Sequence, residues 1–276
     1  MTRLSELAEK TVPGFVMTIN QQTDILKFVE YVRVNKPWLE KFNEIILSAN
    51  GKKPWCEHLP DELQPIIPSM KFTLLYSEPN LGHTFGIFDN DGKIFKYCED
   101  KDYEYIWKFS ADVLANESIF DIDIDESNDL FYINNIGYAA LEEYGGRNKL
   151  EDAVMSGNYF YPQTNYYLVK NKIKQWCPSY DETLALKQEY EDKKKEDPSI
   201  TPWHAIQGCD CEHMLVKTTE VNNLKKQHLL NKDTLSRLLN LIENHEIYDG
   251  SHKNIVYESV GGLCHYHIMN GMAMPV

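Results

Sequence analysis

The chain has 276 residues, 42% of them apolar and 25% charged, with a formal net charge of −14 at pH 7. Ordinary apolar and charged fractions exclude wholesale disorder and allow a sizeable core, in one large domain or two small ones. The acidic balance, with no basic stripe, excludes the phosphate contacts that dominate direct nucleic-acid binding, and no run approaches the ~18 apolar residues of a membrane span.

The opening MTRLSELAEKTVPGF lacks an apolar signal region, and six cysteines are too sparse for a disulfide scaffold. A soluble protein of a reducing cytoplasm is expected. The first sixty or so residues read as helical. Thr23 caps a stripe of Ile25, Leu26, Phe28, Val29 and Val32. Pro37 opens a second helix with Leu39, Phe42, Ile45 and Ile46, which stops at Asn50-Gly51.

From residue 70 the pattern turns to strands. Lys71 to Tyr76 is rich in β-formers. Thr84 to Phe88 and Lys93 to Tyr97 flank Asp89-Asn90-Asp91-Gly92, a hairpin signal. Tyr103 to Phe109 reads as the next strand and Ser110 to Asn116 as a short helix. Ile119 to Ile124 and Leu130 to Ile133 read as a further hairpin. A helix from Ile136 to Tyr144 ends at Gly145-Gly146. Tyr159 to Tyr161 and Tyr166 to Val169 form another predicted hairpin. Ser179 and Glu182 have capping-box spacing at the head of a charged helix that reaches Asp197-Pro198. Beyond it lie a strand at Glu212 to Thr218, helices at Val221 to Leu230 and Asp233 to His245, and strands at Asn254 to Val260 and Leu263 to Met269.

The fold class expected from this order is α+β: N-terminal helices, a mainly antiparallel meander sheet, and a smaller mixed C-terminal unit. Residues 1–180 form the first unit, 181–198 a charged helix or linker, and 199–276 the second, with packing as one domain with the first as the alternative.

Two clusters carry candidate chemistry. In a strand, Cys209, Cys211 and His213 project from one side at alternate positions, and so do His265 and His267. Joined, they offer zinc the four ligands of a structural site or the three plus water of a hydrolytic one, with Glu212 or Asp210 as base. Packing of small and amphipathic strand residues is the alternative. The expected cofactor is therefore zinc or none.

The second cluster is electrostatic. Residues 97–130 hold a local balance of −9. A strand sets Asp121, Asp123 and Asp125 on one face, where like charges repel and favour a cation or a basic partner. Asp129 follows, but Glu126 and Tyr132 stand where a calcium loop of the EF-hand type needs Gly and Glu. With Tyr103 and Tyr105 nearby, an acidic, tyrosine-bearing contact face results.

Nucleophile-elbow, phosphate-loop, dinucleotide and H-E-x-x-H motifs are all absent. The leading functional expectation is thus a binding protein, of inhibitor, immunity or assembly type, whose acidic face meets a basic protein surface. A zinc-dependent enzyme or structural-zinc protein is the alternative. No membrane or direct nucleic-acid partner is expected, and pairing of edge strands leaves an oligomer open.

Overall fold

The computed structural model describes residues 2–19, 22–51, 53–78, 80–110, 113–115, 122–134, 136, 138–173, 178–200, 211–244 and 263–265. Its strands are β1 (Thr2–Arg3), β2 (Thr11–Ile19), β3 (Glu44–Gly51), β4 (Lys71–Ser77), β5 (Tyr105–Ser110), β6 (Val113–Ala115), β7 (Asp123–Ile124), β8 (Leu130–Asn134), β9 (Pro162–Lys170), β10 (Lys226–His228) and β11 (Leu263–His265). Its helices are α1 (Gln22–Leu39), α2 (Lys53–Cys56), α3 (Leu59–Leu63), α4 (His83–Cys98), α5 (Tyr138–Glu143), α6 (Arg147–Met155), α7 (Tyr180–Glu196), α8 (Cys211–Asn222) and α9 (Lys232–Glu243). A 3-10 helix at Leu4–Lys10 leads into β2.

Seven strands form the central sheet in the order β10-β8-β9-β5-β2-β3-β4. β2 runs parallel to β3 and to β5, β3 runs parallel to β4, and β10 runs parallel to β8. Only β9 is antiparallel to its neighbours, β5 and β8. The architecture is therefore α/β with a mixed, mainly parallel sheet, and the expected antiparallel meander is corrected. The physical reason is burial on both faces. β3 is buried at every position and β2 at all but one. A parallel strand covered on both sides reads as a continuous apolar run, which resembles a helical stripe over so short a length. The predicted second helix through Ile45 and Ile46 is accordingly β3, while α1 carries on through Pro37 to Leu39.

The clearest departure is the predicted hairpin at residues 84–97, which is the helix α4. Asp89, Asn90 and Asp91 are not a turn but buried helical residues, each with polar partners inside the fold. Local turn chemistry was overridden because the sheet beneath offers those partners. The predicted strand at Glu212 to Thr218 is the helix α8, and the end of the next predicted helix is β10. β6 replaces the short helix after Ser110, and β9 is one strand where a hairpin was expected. β7 pairs with β1 instead of with β8. The predicted strand at Asn254 to Val260 lies outside the described residues.

The two faces of the sheet are packed differently. One is aromatic: Phe15 stacks on Phe109 at 5.0 Å between ring centres, and Trp38, Phe42, Trp107 and Tyr166 close around them. α1 covers this face through Phe28, Tyr31 and Val32. The other face is aliphatic at one end, with Val12, Val16, Ile46 and Ile106 against Ile94 and Cys98 of α4. Toward the other end it becomes polar, and the candidate site begins there.

The charged helix α7 has the expected capping box: Glu182 N–H donates to Ser179 Oγ at 3.3 Å, and the Glu182 carboxylate accepts from Ser179 N–H at 2.7 Å. Ser179→Ala is expected to cost about 1 kcal/mol, concentrated in α7. Faster amide exchange in its first turn, with the rest of the chain unaltered, checks this.

Candidate ligand edge at the carboxyl ends of the parallel strands

The chain runs from β2 through α1 to β3 and on to β4, moving outward in one direction. It then passes through α4 and enters β5 on the opposite side of β2. The order of the four parallel strands is thus 4-3-2-5 in the labels above, and the sense of winding reverses between β2 and β5. In open α/β sheets, ligands bind outside the carboxyl ends of the strands at such a reversal. α1 begins three residues after β2 ends and α4 six residues after β4 ends, so both helices start at this edge. Helix starts carry free N–H groups and a partial positive charge that suit anions.

Polar side chains concentrate at the same end of the sheet. The Thr18 hydroxyl, on an exposed residue, donates to Asn50 Oδ1 at 2.8 Å. Asn50 is fully buried, and its amide nitrogen faces the carbonyl of Gly86 at 3.4 Å. A Cβ on Gly86 would sit 2.6 Å from that nitrogen, so only glycine lets α4 come this close. The Ser48 hydroxyl donates to the carbonyl of Asn90 at 2.9 Å, and the Asn90 amide reaches back toward the Met17 carbonyl at 3.4 Å. Tyr76 donates to the carbonyl of Gly51 at 3.1 Å.

Two ion pairs lie here, one within α4 and one joining α4 to the sheet. Lys93 meets Asp89 at 3.0 Å and donates to Ser77 Oγ at 2.8 Å. Burial depresses the Lys93 ammonium below its ordinary pKa, with Asp89 opposing. The second pair, Asp91 with Lys108 at 3.6 Å, is fully buried on both sides. Burial raises the Asp91 carboxyl above the usual range, against the pull of Lys108 and Tyr167. The edge is thus an array of hydroxyls, amides and paired charges bonded to one another.

None of these groups stood out in the sequence. Asn50-Gly51 resembled a helix stop and Asp89 to Gly92 a turn. The available signal was alternation: two β-rich runs, 71–76 and 103–109, lie far enough apart to hold a covering helix.

The described ones among the residues singled out from the sequence fall on several elements. Cys211 and His213 lie in α8, so strand alternation does not bring them to one side. Cys209 and His267 lie outside the described residues. His265 is in β11, opposite Val113 of β6. Tyr105 is buried in the sheet, and Tyr103 donates to Glu44. Asp129 pairs with Lys170 at 3.2 Å, Asp123 lies opposite Arg3, and Asp125 accepts from Ser127 N–H at 3.0 Å. Asp121 lies outside the described residues.

No family model matches the chain, and no curated protein matches it. Solved structures do show a likeness in fold. The galactosyltransferase LgtC, in complex with donor and acceptor sugar analogues, is 12% identical with a TM-score of 0.47, over 92% of this chain and 86% of that one. A mannosyltransferase from Pyrobaculum calidifontis, in complex with GDP-Man and Mn2+, is 7% identical with a TM-score of 0.47, over 89% and 66%. Core-mannan synthase A from Aspergillus fumigatus, in its Mn/GDP form, is 11% identical with a TM-score of 0.40, over 79% and 72%. The expected binding and zinc-enzyme roles are corrected: the strand on which the zinc ligands rested is the helix α8, and Tyr105 of the contact face is buried in the sheet.

Two of those three structures hold manganese. Among the described residues here, no three His, Cys, Asp or Glu side chains are grouped to hold a metal ion. The carboxylates of Asp89 and Asp91 are already neutralised by lysines. The described residues therefore do not fit a bound divalent cation. Among them, no helix is long and apolar enough to cross a membrane.

Proposed function

We propose that this protein binds a nucleotide, or a nucleotide-activated sugar, at the carboxyl edge between β2 and β5, and transfers the activated group. The observation that carries the reading is the reversal of winding in a parallel sheet whose edge is polar and whose two covering helices begin there. The ligand would lie across the ends of β2 and β5, with Thr18 and Ser110 nearest and the helix starts facing its phosphates. Glycosyl transfer is the reaction to test first, because the similar solved structures named above carry that activity. The assay, not the likeness, decides it.

Calorimetric titration with UDP, GDP, UDP-galactose and GDP-mannose, each with and without Mn2+, is the test. Micromolar binding of at least one nucleotide is expected, with about 2.7 kcal/mol of added stability at a hundredfold excess over Kd. Thr18→Glu, which sets a negative charge at this exposed edge position, should abolish it at a cost of about 1–3 kcal/mol in stability, since Asn50 Oδ1 loses its donor. Absence of binding by all four compounds at millimolar concentration overturns the reading. Release of nucleoside diphosphate from a bound donor, with an acceptor present, tests the transfer step.

A further inference from the structure

The first turn of α4 is left open. Side chains close the starts of α7 and α9, where Ser179 and Asn231 accept from the helix, but the residue before α4 is Gly82, which is exposed and has no side chain to cap it. Gly82 stands at φ 81°, and a Cβ placed on it would meet nothing within 4 Å, so there is space beside the turn. The Gly82 N–H donates to Asn80 Oδ1 at 2.8 Å, and the Gly86 N–H donates to the Gly82 carbonyl at 3.0 Å. Between them, the N–H groups of Thr84 and Phe85 find no acceptor among the described residues.

Thr84 adds a second, independent feature. It is only 6% exposed, yet its hydroxyl has no partner among the described residues and is not one of the oxygens sealed from solvent. The Cα–Cβ bonds of a helix tilt toward its N-terminus, so this hydroxyl looks back over the open turn. Thr84 lies two turns before Asp91 on the same face of α4, and Asp91 meets Lys108 of β5 at 3.6 Å. Those two turns span about 10.5 Å, more than the roughly 6.6 Å from Lys108 to the end of β5 at Ser110. Thr84 therefore stands just beyond the end of β5, at the reversal of winding.

We infer that the first turn of α4 is the diphosphate subsite of the nucleotide edge, with the Thr84 hydroxyl and the N–H groups of Thr84 and Phe85 as its donors. The assignment rests on the nucleotide reading and deepens it, by giving one part of the ligand to named groups. Free N–H groups and the partial positive charge of a helix start favour an anion there. Gly82 lets a phosphate approach the backbone with no Cβ in its way. A hydroxyl that donates to a charged oxygen makes a bond roughly twice as strong as a neutral one. A nucleoside brings no such oxygen to the turn, so Thr84 separates nucleoside diphosphates from nucleosides.

The test is Thr84→Val, which keeps the shape of the side chain and removes the hydroxyl. The melting temperature of the free protein should stay at or above that of the native chain, because the hydroxyl makes no bond within the described fold. Affinity for UDP and GDP should fall at least about tenfold, the worth of one charge-assisted hydrogen bond, while affinity for uridine and guanosine stays unchanged. Thr84→Ser, which restores the hydroxyl, should bind UDP and GDP as the native chain does. Thr84→Ala should show the same selective loss as Thr84→Val, and it decides the matter if Thr84→Val does not fold. A folded Thr84→Val with full diphosphate affinity overturns the inference, as does an equal loss for nucleoside and diphosphate. If the native chain binds no nucleotide at all, the functional reading falls and takes this inference with it. If the native chain binds and the valine and alanine variants bind equally well, only the inference falls.

Discussion

Gly51→Ala is expected to cost about 4 kcal/mol or more, a large share of the roughly 5–15 kcal/mol that holds an ordinary fold. Gly51 ends β3 at φ 131°, in the left-handed half of backbone space that side chains disfavour. A Cβ there would lie 2.0 Å from the carbonyl oxygen of Ile19 and 2.7 Å from its carbon. Both are backbone atoms of the neighbouring strand, held in register opposite Gly51, so neither can rotate aside. Relief requires parting β2 from β3 at the edge where the ligand is placed. Urea denaturation reads the loss directly. A variant within about 1 kcal/mol of the native chain would mean that the β2–β3 ladder ends earlier than Gly51.

Acid should weaken the fold well above the carboxylate range, and His228 is the cause. Its Nε2 accepts the backbone N–H of Asn134 at 3.2 Å, while Nδ1 faces the carbonyl of Leu230 at 3.3 Å and donates to it. The ring meets Tyr132 edge to face at 5.5 Å. Both nitrogens are used by the neutral tautomer, and a second proton would have to displace the Asn134 bond. Burial lowers the pKa to about 4 from the ordinary 6.5. A histidine depressed in the folded state lends stability that is complete above pH 6.5 and is lost as pH falls toward 4, because the unfolded chain takes up the proton first. The loss amounts to about 3 kcal/mol by pH 4. Unfolding free energies measured from pH 7.5 to 4.5 should show that slope in the native chain and lose it in His228→Gln. The same slope in both would assign the acid sensitivity to other groups.

Local order was legible where a single element carried its own signal. The Ser179 capping box and the β-rich run at Lys71 are present, the strand expected at Tyr103 to Phe109 runs from Tyr105 to Ser110, and the helix expected from Asp233 starts at Lys232, capped by Asn231 and not by Asp233 or Thr234. What was not legible depends on burial by distant chain. Ile45, Ile46 and Leu47 of β3 are apolar on successive sides because both faces are covered, and nothing within so short a run separates that from a helical stripe. Asp89, Asn90 and Asp91 look like a turn until Ser77, Ser48, Lys93 and Lys108 are set beside them. The candidate edge was invisible for the same reason, since it is made by strand order, and no motif spans it.

The central sheet is finished by a strand from late in the chain. β10, residues 226–228, lies beside β8, residues 130–134, with Leu229 N–H donating to the Tyr132 carbonyl at 2.8 Å. During synthesis the outer edge of β8 therefore stands bare until about ninety more residues have been made, on the order of 5 to 20 s at ordinary elongation rates. Contacts so distant in sequence also slow the final folding step. The nascent chain thus passes through a stage with an open, apolar strand edge of the kind that recruits chaperones or pairs with another copy of itself. Yield of native protein should be governed by that interval more than by the stability of the finished fold.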